Sequence, residues 1–214
     1  DSVDEGRVKG GGRALGDEQP FYGLQPPAMN WEAAGCRTIE EMATHYVGEI
    51  QRLQPHGPYR LLGTSLGGVM AFEIATQLQR AGEAVHLLAM VDTAPPDCVD
   101  PDGHIDRAER RDWAAGVPTD EPLVAMSVRV ARAHLLAYDA YVLRRRFDGE
   151  ILYFKCLEPP VPPTIDRRRL WERFATEGMR VVGVPGIHGH FHREPQLSAV
   201  VRGLRAALRD GGTG

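Results

Sequence analysis

The densest chemistry in the sequence lies in Gly63-Thr64-Ser65-Leu66-Gly67, a G-x-S-x-G pentapeptide between an apolar run and a helix-periodic segment. A serine on so sharp a strand-to-helix turn is lifted above a sheet, and the two glycines are expected to remove Cβ atoms that would clash there. A serine hydroxyl is a weak nucleophile. It needs a base to take its proton, and the base needs an acceptor that fixes its tautomer and stabilises the imidazolium. Ser65 is therefore read as a nucleophile; the plainer reading is a glycine-rich turn with a helix-capping serine.

Eight histidines compete for the role of base. His45 falls on a helical pattern, His56 in a turn, His86 inside an apolar run, and His104 and His134 in an irregular middle region; each reads more easily as structural or solvated. His188, in Val184-Pro-Gly-Ile-His188-Gly, follows a strand and precedes the last helix, where parallel sheets place their sites. It is the preferred base. His188-Gly-His190-Phe-His192 also reads as a three-histidine metal cluster, since alternate residues of an extended segment share a face. That reading leaves the serine turn unexplained and finds no matching Asp/Glu/Cys cluster, so it ranks lower. For the acid, Asp92 ends the apolar run after the nucleophile's helix, whereas Glu158 follows the later run ILYFKC. Asp92 is preferred over Glu158; its competing role is that of a turn aspartate before Pro95-Pro96. The backbone N–H of Leu66, at a helix start, is the natural first oxyanion donor.

The elements that must hold these groups alternate along the chain. Pro20 to Leu24 is a short apolar run before Pro26-Pro27, consistent with a strand. Thr38-Ile-Glu-Glu41 is a capping box, and Ile39, Met42, Tyr46, Ile50 and Leu53 recur at helical spacing. Tyr59 to Gly63 is a strand running into the serine turn; Val69, Phe72, Ala75 and Leu78 then mark a helix with Gly82 at its stop. Val85 to Val91 reads as a fully buried strand. From Pro95 to about Gly149 the alternation lapses. Helical spacing at Leu123, Met126, Val130, Ala133, Ala137 and Tyr141 there predicts an inserted lid. Ile151 to Cys156 and Arg180 to Val184 resume the strands around a helical segment, Asp166 to Glu177, and Leu197, Val200, Val201, Leu204 and Leu208 close with an amphipathic helix. This order predicts an α/β fold, a mostly parallel sheet with helices on both faces.

With 214 residues, 43% of them apolar, the chain can bury one sizeable core, so a single domain over 13–210 is expected after a polar, Gly-rich segment 1–12 and before a tail 211–214. A net charge of -4 gives no attraction for nucleic acid or anionic lipid. No apolar run approaches the roughly 18 to 20 residues of a membrane span and the start is not signal-like, so a soluble, cytoplasmic protein is expected. Cys36, Cys98 and Cys156 are odd in number and far apart, which fits free thiols in a reducing compartment.

PFYGLQPP, the Thr38 helix, GPYRLLGTSLGG, VHLLAMVDTAPP and VVGVPGIHGHFHREP, in this order, closely resemble the thioesterase domains that release products from non-ribosomal peptide synthetases and polyketide synthases. The resemblance covers about Arg13 to Asp210 and implies an α/β-hydrolase fold with a triad in the order Ser65, Asp92, His188. It further implies a lid from about 97 to 148 over the acyl chain, and no cofactor of the domain's own. The implied partner is an acyl or peptidyl carrier domain, whose phosphopantetheine thiol presents the chain for hydrolysis or macrocyclisation. Arg144-Arg145-Arg146 and Arg167-Arg168-Arg169 would then face either an acidic carrier or, more simply, solvent. Family members begin with an apolar strand and a Gly-rich loop that supplies a second oxyanion donor. Here DSVDEGRVKGGG leads almost directly to Arg13-Ala14-Leu15, so that strand and loop are expected to be missing or altered; Gly10 to Gly12 read either as a stand-in for the loop or, at least as readily, as part of a flexible N-terminal segment 1–12. A catalytically impaired acyl- or carrier-binding module is the competing function.

Overall fold

A computed structural model describes residues 3–4, 15, 20–26, 35–96, 122–158, 171–188, 190–191 and 193–210. In chain order the elements are β1 (Val3–Asp4), β2 (Gly23–Leu24), α1 (Ile39–Leu53), β3 (Tyr59–Thr64), α2 (Leu66–Arg80), β4 (Val85–Val91), α3 (Pro122–Ala140), β5 (Ile151–Cys156), β6 (Met179–Val184) and α4 (Gln196–Asp210).

Local chemistry sets the ends of the helices. Extended Thr38 caps α1: its hydroxyl accepts the Glu41 N–H at 3.2 Å, while the Glu41 carboxylate accepts the Thr38 and Arg37 N–H groups at 3.1 and 2.7 Å. These two bonds hold the Glu41 carboxyl below its usual range. At the far end of α2, Gly82 takes a φ of 83°, and Glu83 N–H reaches back to the Leu78 carbonyl at 3.0 Å, the left-handed stop that glycine allows without a Cβ penalty.

Four parallel strands form the main sheet in the order β3-β4-β5-β6, so among the described residues β3 and β6 are its edges. Successive side chains on a strand face opposite ways, and the two cores divide accordingly. Leu88 and Met90 of β4 and Ile151 and Tyr153 of β5 join Ile39, Met42, Val69, Phe72 and Trp171 on the α1/α2 side. Ala89, Val91, Leu152, Phe154 and Cys156 join Ala199, Val200, Leu204 and Ala207 of α4 on the other. The sheet is thus covered on both faces, as the sequence predicts.

Three expectations change in detail, and a fourth falls partly outside the described residues. β4 is not buried throughout: Leu88 to Val91 are, but Val85 to Leu87 are not and His86 is exposed. The cause is register, because β5 pairs with β4 only from Leu88 onward, leaving the start of β4 uncovered on that side. The run from Pro20 contributes just the two residues of β2, paired antiparallel with Val3–Asp4 outside the main sheet, and Tyr22 is exposed. The helical segment expected through Glu177 stops at Glu172 among its described residues. Phe147 and Ala175 form a parallel bridge, with Phe147 N–H on the Phe174 carbonyl and Thr176 N–H on the Phe147 carbonyl, so those groups serve the bridge and not a helix. Residues 97–121 of the expected lid lie outside the described residues, whereas α3 supplies its helix. The last part of that region, with Tyr141, Leu143 and Phe147, is buried in the α1/α2-side core.

Candidate active site

Ser65 sits between β3 and α2 with φ 51° and ψ −125°, a conformation that non-glycine residues rarely adopt and that costs on the order of 1–3 kcal/mol. Its surroundings hold it there: Ser65 N–H donates to the Val91 carbonyl at 2.9 Å, and Gly68 N–H donates to the Ser65 carbonyl at 3.0 Å. Gly63 is required by space, since a Cβ there would lie 2.1 Å from the Gly67 carbonyl oxygen. For Gly67 the sequence-based expectation of a clash is not met, because an added Cβ finds nothing within 4 Å. The second crowded position is Gly68, one residue beyond the pentapeptide, where a Cβ would lie 2.0 Å from the Thr93 hydroxyl oxygen. The Leu66 N–H, on the first residue of α2, is used by neither of these turn hydrogen bonds.

Register brings the acid beside the serine. Thr64 pairs with Val91, so the chain leaves both strands at the same level and Ser65 and Asp92 emerge as neighbours. Asp92 also has a left-handed backbone, φ 46°, and donates its N–H to the Phe154 carbonyl at 2.8 Å. His188 arrives from the loop after β6. Its Nδ1 lies 2.8 Å from Asp92 Oδ2 and its Nε2 lies 3.0 Å from Ser65 Oγ. With the ring proton on Nδ1, the imidazole donates to Asp92 and accepts the Ser65 O–H. The Asp92 side chain is 14% exposed and that of His188 43%, so the carboxylate is sheltered while the ring faces the opening.

Glu158 lies elsewhere. Its N–H donates to the Gly186 carbonyl at 3.2 Å and its carboxylate accepts the Gly186 N–H at 3.3 Å, so it braces the loop that carries His188. His56 pairs with Glu83 at 3.1 Å, His190 is exposed, and desolvation holds His134 below the usual histidine range. His104 and His192 lie outside the described residues, as do Gly10 to Gly12, Cys98 and Arg167 to Arg169. Both ring nitrogens of His188 are engaged, and among the described residues no three metal-type ligands are gathered. Of the other arginine run, Arg144 and Arg145 are exposed and Arg146 donates to the Ala175 carbonyl at 2.7 Å.

Sequence reasoning missed a set of donors to the two backbone carbonyls that follow Asp92 in the chain, those of Thr93 and Ala94. Tyr153 Oη and Trp171 Nε1 both reach the Thr93 carbonyl, each at 2.9 Å, and Tyr138 Oη reaches the Ala94 carbonyl at 3.1 Å. In the sequence these aromatics carry no signal beyond that of core residues.

The sequence pattern of the thioesterase domain family matches residues 12–207. The chain belongs to this family. Solved thioesterase domains share the fold: that of NocB from the nocardicin cluster, in covalent complex with a fluorophosphonate nocardicin G analog, is 29% identical, with a TM-score of 0.71 over 87% of this chain and 82% of that one. The RedJ thioesterase of the prodiginine pathway in Streptomyces coelicolor is 20% identical, with a TM-score of 0.70 over 94% of this chain and 84% of that one. Among curated proteins, this thioesterase domain is 46% identical over 79 residues to malpibaldin synthetase of Mortierella alpina, and 44% identical over 84 residues to indigoidine synthase of Dickeya dadantii. Those matches take in 37% and 39% of this chain but 1% and 6% of the relatives, so the chain corresponds to a small part of each. No helix among the described residues is long and apolar enough to cross a membrane.

Proposed function

We propose that the domain releases an acyl or peptidyl chain from the phosphopantetheine thioester of a carrier domain through an ester on Ser65. The observation that carries this reading is the hydrogen-bonded chain Ser65–His188–Asp92 at the carboxyl ends of the strands, on a fold shared with thioesterase domains. Ser65 Oγ attacks the thioester carbonyl while His188 Nε2 takes the hydroxyl proton; Asp92, bonded to Nδ1, stabilises the resulting imidazolium. The Leu66 N–H, with the positive end of α2 behind it, stabilises the oxyanion. Collapse breaks the C–S bond, and the imidazolium gives its proton to the departing thiolate, leaving the ester on Ser65. His188 then removes a proton from water, or from a nucleophile within the chain itself, as it attacks the ester carbonyl; the acyl C–Oγ bond breaks and the imidazolium returns that proton to Ser65 Oγ, which frees the product and regenerates the serine. The domain needs no cofactor of its own for these steps. Its working partner is a carrier domain of a peptide or polyketide synthase, and its compartment is the cytoplasm, where such carriers are loaded. The catalytic unit is taken as one domain over 13–210, with the region 97–148 as its lid.

A fluorophosphonate tests the reading directly. One adduct is expected on a Ser65 peptide, with none in Ser65→Ala and strong loss in His188→Gln; a folded protein that stays unlabelled would overturn it. Hydrolysis of an acyl-pantetheine thioester that is no faster than with Ser65→Ala would instead indicate an acyl- or carrier-binding module.

A further inference from the structure

The backbone at Asp92 is left-handed, φ 46°, and such a conformation persists in a non-glycine residue where the surroundings over-determine it. Asp92 N–H is fixed to the Phe154 carbonyl at 2.8 Å. One residue on, the Thr93 carbonyl accepts two hydrogen bonds at 2.9 Å, from Tyr153 Oη–H and Trp171 Nε1–H. Two donors occupy both lone pairs of that oxygen and so fix the direction of the Thr93–Ala94 peptide plane, the second one after Asp92, which limits how the turn that begins at Asp92 can rotate. All three residues are fully enclosed, with Thr93 and Trp171 at 0% and Tyr153 at 1% exposure, so no water competes for the carbonyl.

The two donors come from places that are rigid for separate reasons. Tyr153 is central in β5 and pairs in register with Met90 of β4, two residues before Asp92. Trp171 packs against Phe72 of α2, ring centroids 5.1 Å apart and planes tilted by 50°, and α2 is the helix that begins beside Ser65. The Thr93 side chain fits against Gly68 of the same helix, where no Cβ has room. A buried tyrosine hydroxyl or indole N–H must find some acceptor. Convergence of both on the one carbonyl that follows the acid is more than that need dictates.

We propose that Tyr153 and Trp171 are positioning residues: by clamping the Thr93 carbonyl they hold the turn that aims the Asp92 carboxylate at His188 Nδ1. The inference rests on the role assigned above to Asp92. Tyr153→Phe deletes one donor and little volume. A misplacement of about 1 Å at a reacting geometry costs on the order of 100-fold, so the single-turnover acylation rate is expected to fall by about 10- to 100-fold with KM nearly unchanged. Trp171→Phe should do likewise, with added loss of stability from the packing it gives up against Phe72 and Phe174. Tyr141→Phe is the control, because it deletes another buried hydroxyl bond, 2.5 Å to Glu73 in the middle of α2, that does not involve the Thr93 carbonyl.

Two readouts decide the matter. In a cycle with Asp92→Asn, Tyr153→Phe should lose its effect on acylation, since nothing remains to aim; a full effect in that background would overturn the inference. In ¹⁵N-histidine-labelled protein, the His188 Nδ1–H resonance, assigned by its absence in His188→Gln, should shift or broaden in Tyr153→Phe and stay put in Tyr141→Phe. An unchanged resonance in Tyr153→Phe would overturn the clamp whatever the activity. A shifted resonance in a protein whose Ser65 is never acylated would keep the clamp and sink the thioesterase mechanism.

Discussion

Replacing each glycine of the serine turn by alanine should separate two roles that the motif gives as one. At Gly63 the new Cβ would stand 2.1 Å from the Gly67 carbonyl oxygen, 2.4 Å from its carbon and 2.6 Å from Gly68 Cα, all of them backbone. Relieving the contact requires about 1 Å of separation between the end of β3 and the first turn of α2, since no side chain can swing aside. Overpacking of this kind typically costs about 1–3 kcal/mol and occasionally more, and main-chain crowding places Gly63→Ala at or above the upper end. The same 1 Å shift displaces Ser65 from His188 Nε2 and should slow fluorophosphonate labelling on the order of 100-fold. Gly67→Ala meets nothing within 4 Å and adds helix propensity, so it should be neutral or stabilising by up to about 1 kcal/mol. Urea unfolding midpoints and initial labelling rates of the two variants, measured side by side, are the assay. A Gly63→Ala protein matching wild type in both, or a Gly67→Ala protein as unstable as Gly63→Ala, would refute the reasoning.

Asp92→Asn should keep the fold and lower the acylation rate by up to about 10,000-fold, as loss of the orienting carboxylate does in serine proteases, whereas Glu158→Gln, whose amide oxygen still accepts the Gly186 N–H, should stay near wild type. Single-turnover kinetics separate them, and the reverse order would move the acid to Glu158. Glu41→Gln should destabilise α1 at neutral pH. Because backbone donors depress the folded carboxyl, its contribution is present above the unfolded value of 4.5 and lost as pH falls through the lower folded value. The gap in melting temperature between wild type and Glu41→Gln should therefore narrow from pH 7 to pH 3, and a constant gap would contradict the assignment. Cys36 is buried, and desolvation, with Glu41 nearby, raises its thiol pKa; a thiol reagent at pH 8 should modify its peptide more slowly in the native than in the urea-unfolded protein.

Much of the site was legible because its determinants are local. Thr38 with Glu41, the glycines about Ser65, Gly82 after α2 and the placing of Asp92 and His188 at the ends of apolar runs are short-range signals with direct structural consequences. The order of elements then implied a parallel sheet, and a parallel sheet brings strand ends together. What stayed hidden depends on contacts distant in sequence. Tyr153 and Trp171 reach Thr93 across separations of 60 and 78 residues, and each reads in isolation as an ordinary core aromatic. The end of the helical segment at Glu172 is set by the Phe147–Ala175 bridge, which helical periodicity cannot foresee. The pentapeptide suggested symmetric glycines, yet space about Gly67 depends on what lies beyond the turn, and Gly68, outside the pattern, is the tighter fit.

The register of β3 with β4 has a further consequence. Ser65 and Asp92 leave the same rung of one ladder, with Ser65 N–H bonded to the Val91 carbonyl and Asp92 N–H to the Phe154 carbonyl, so both are tied to the backbone of the sheet. His188 lies on the loop after β6, where residues 185–187 are half-buried and His188 itself is exposed. Local opening selects segments with few buried contacts, so the histidine should be lost from the site in excursions that leave serine and aspartate in place. Heat inactivation would then begin below the temperature at which the core melts. Amide exchange along 185–191 would outpace that of 63–68 and 90–93, giving the domain an inactive but still folded state reached by undocking one loop.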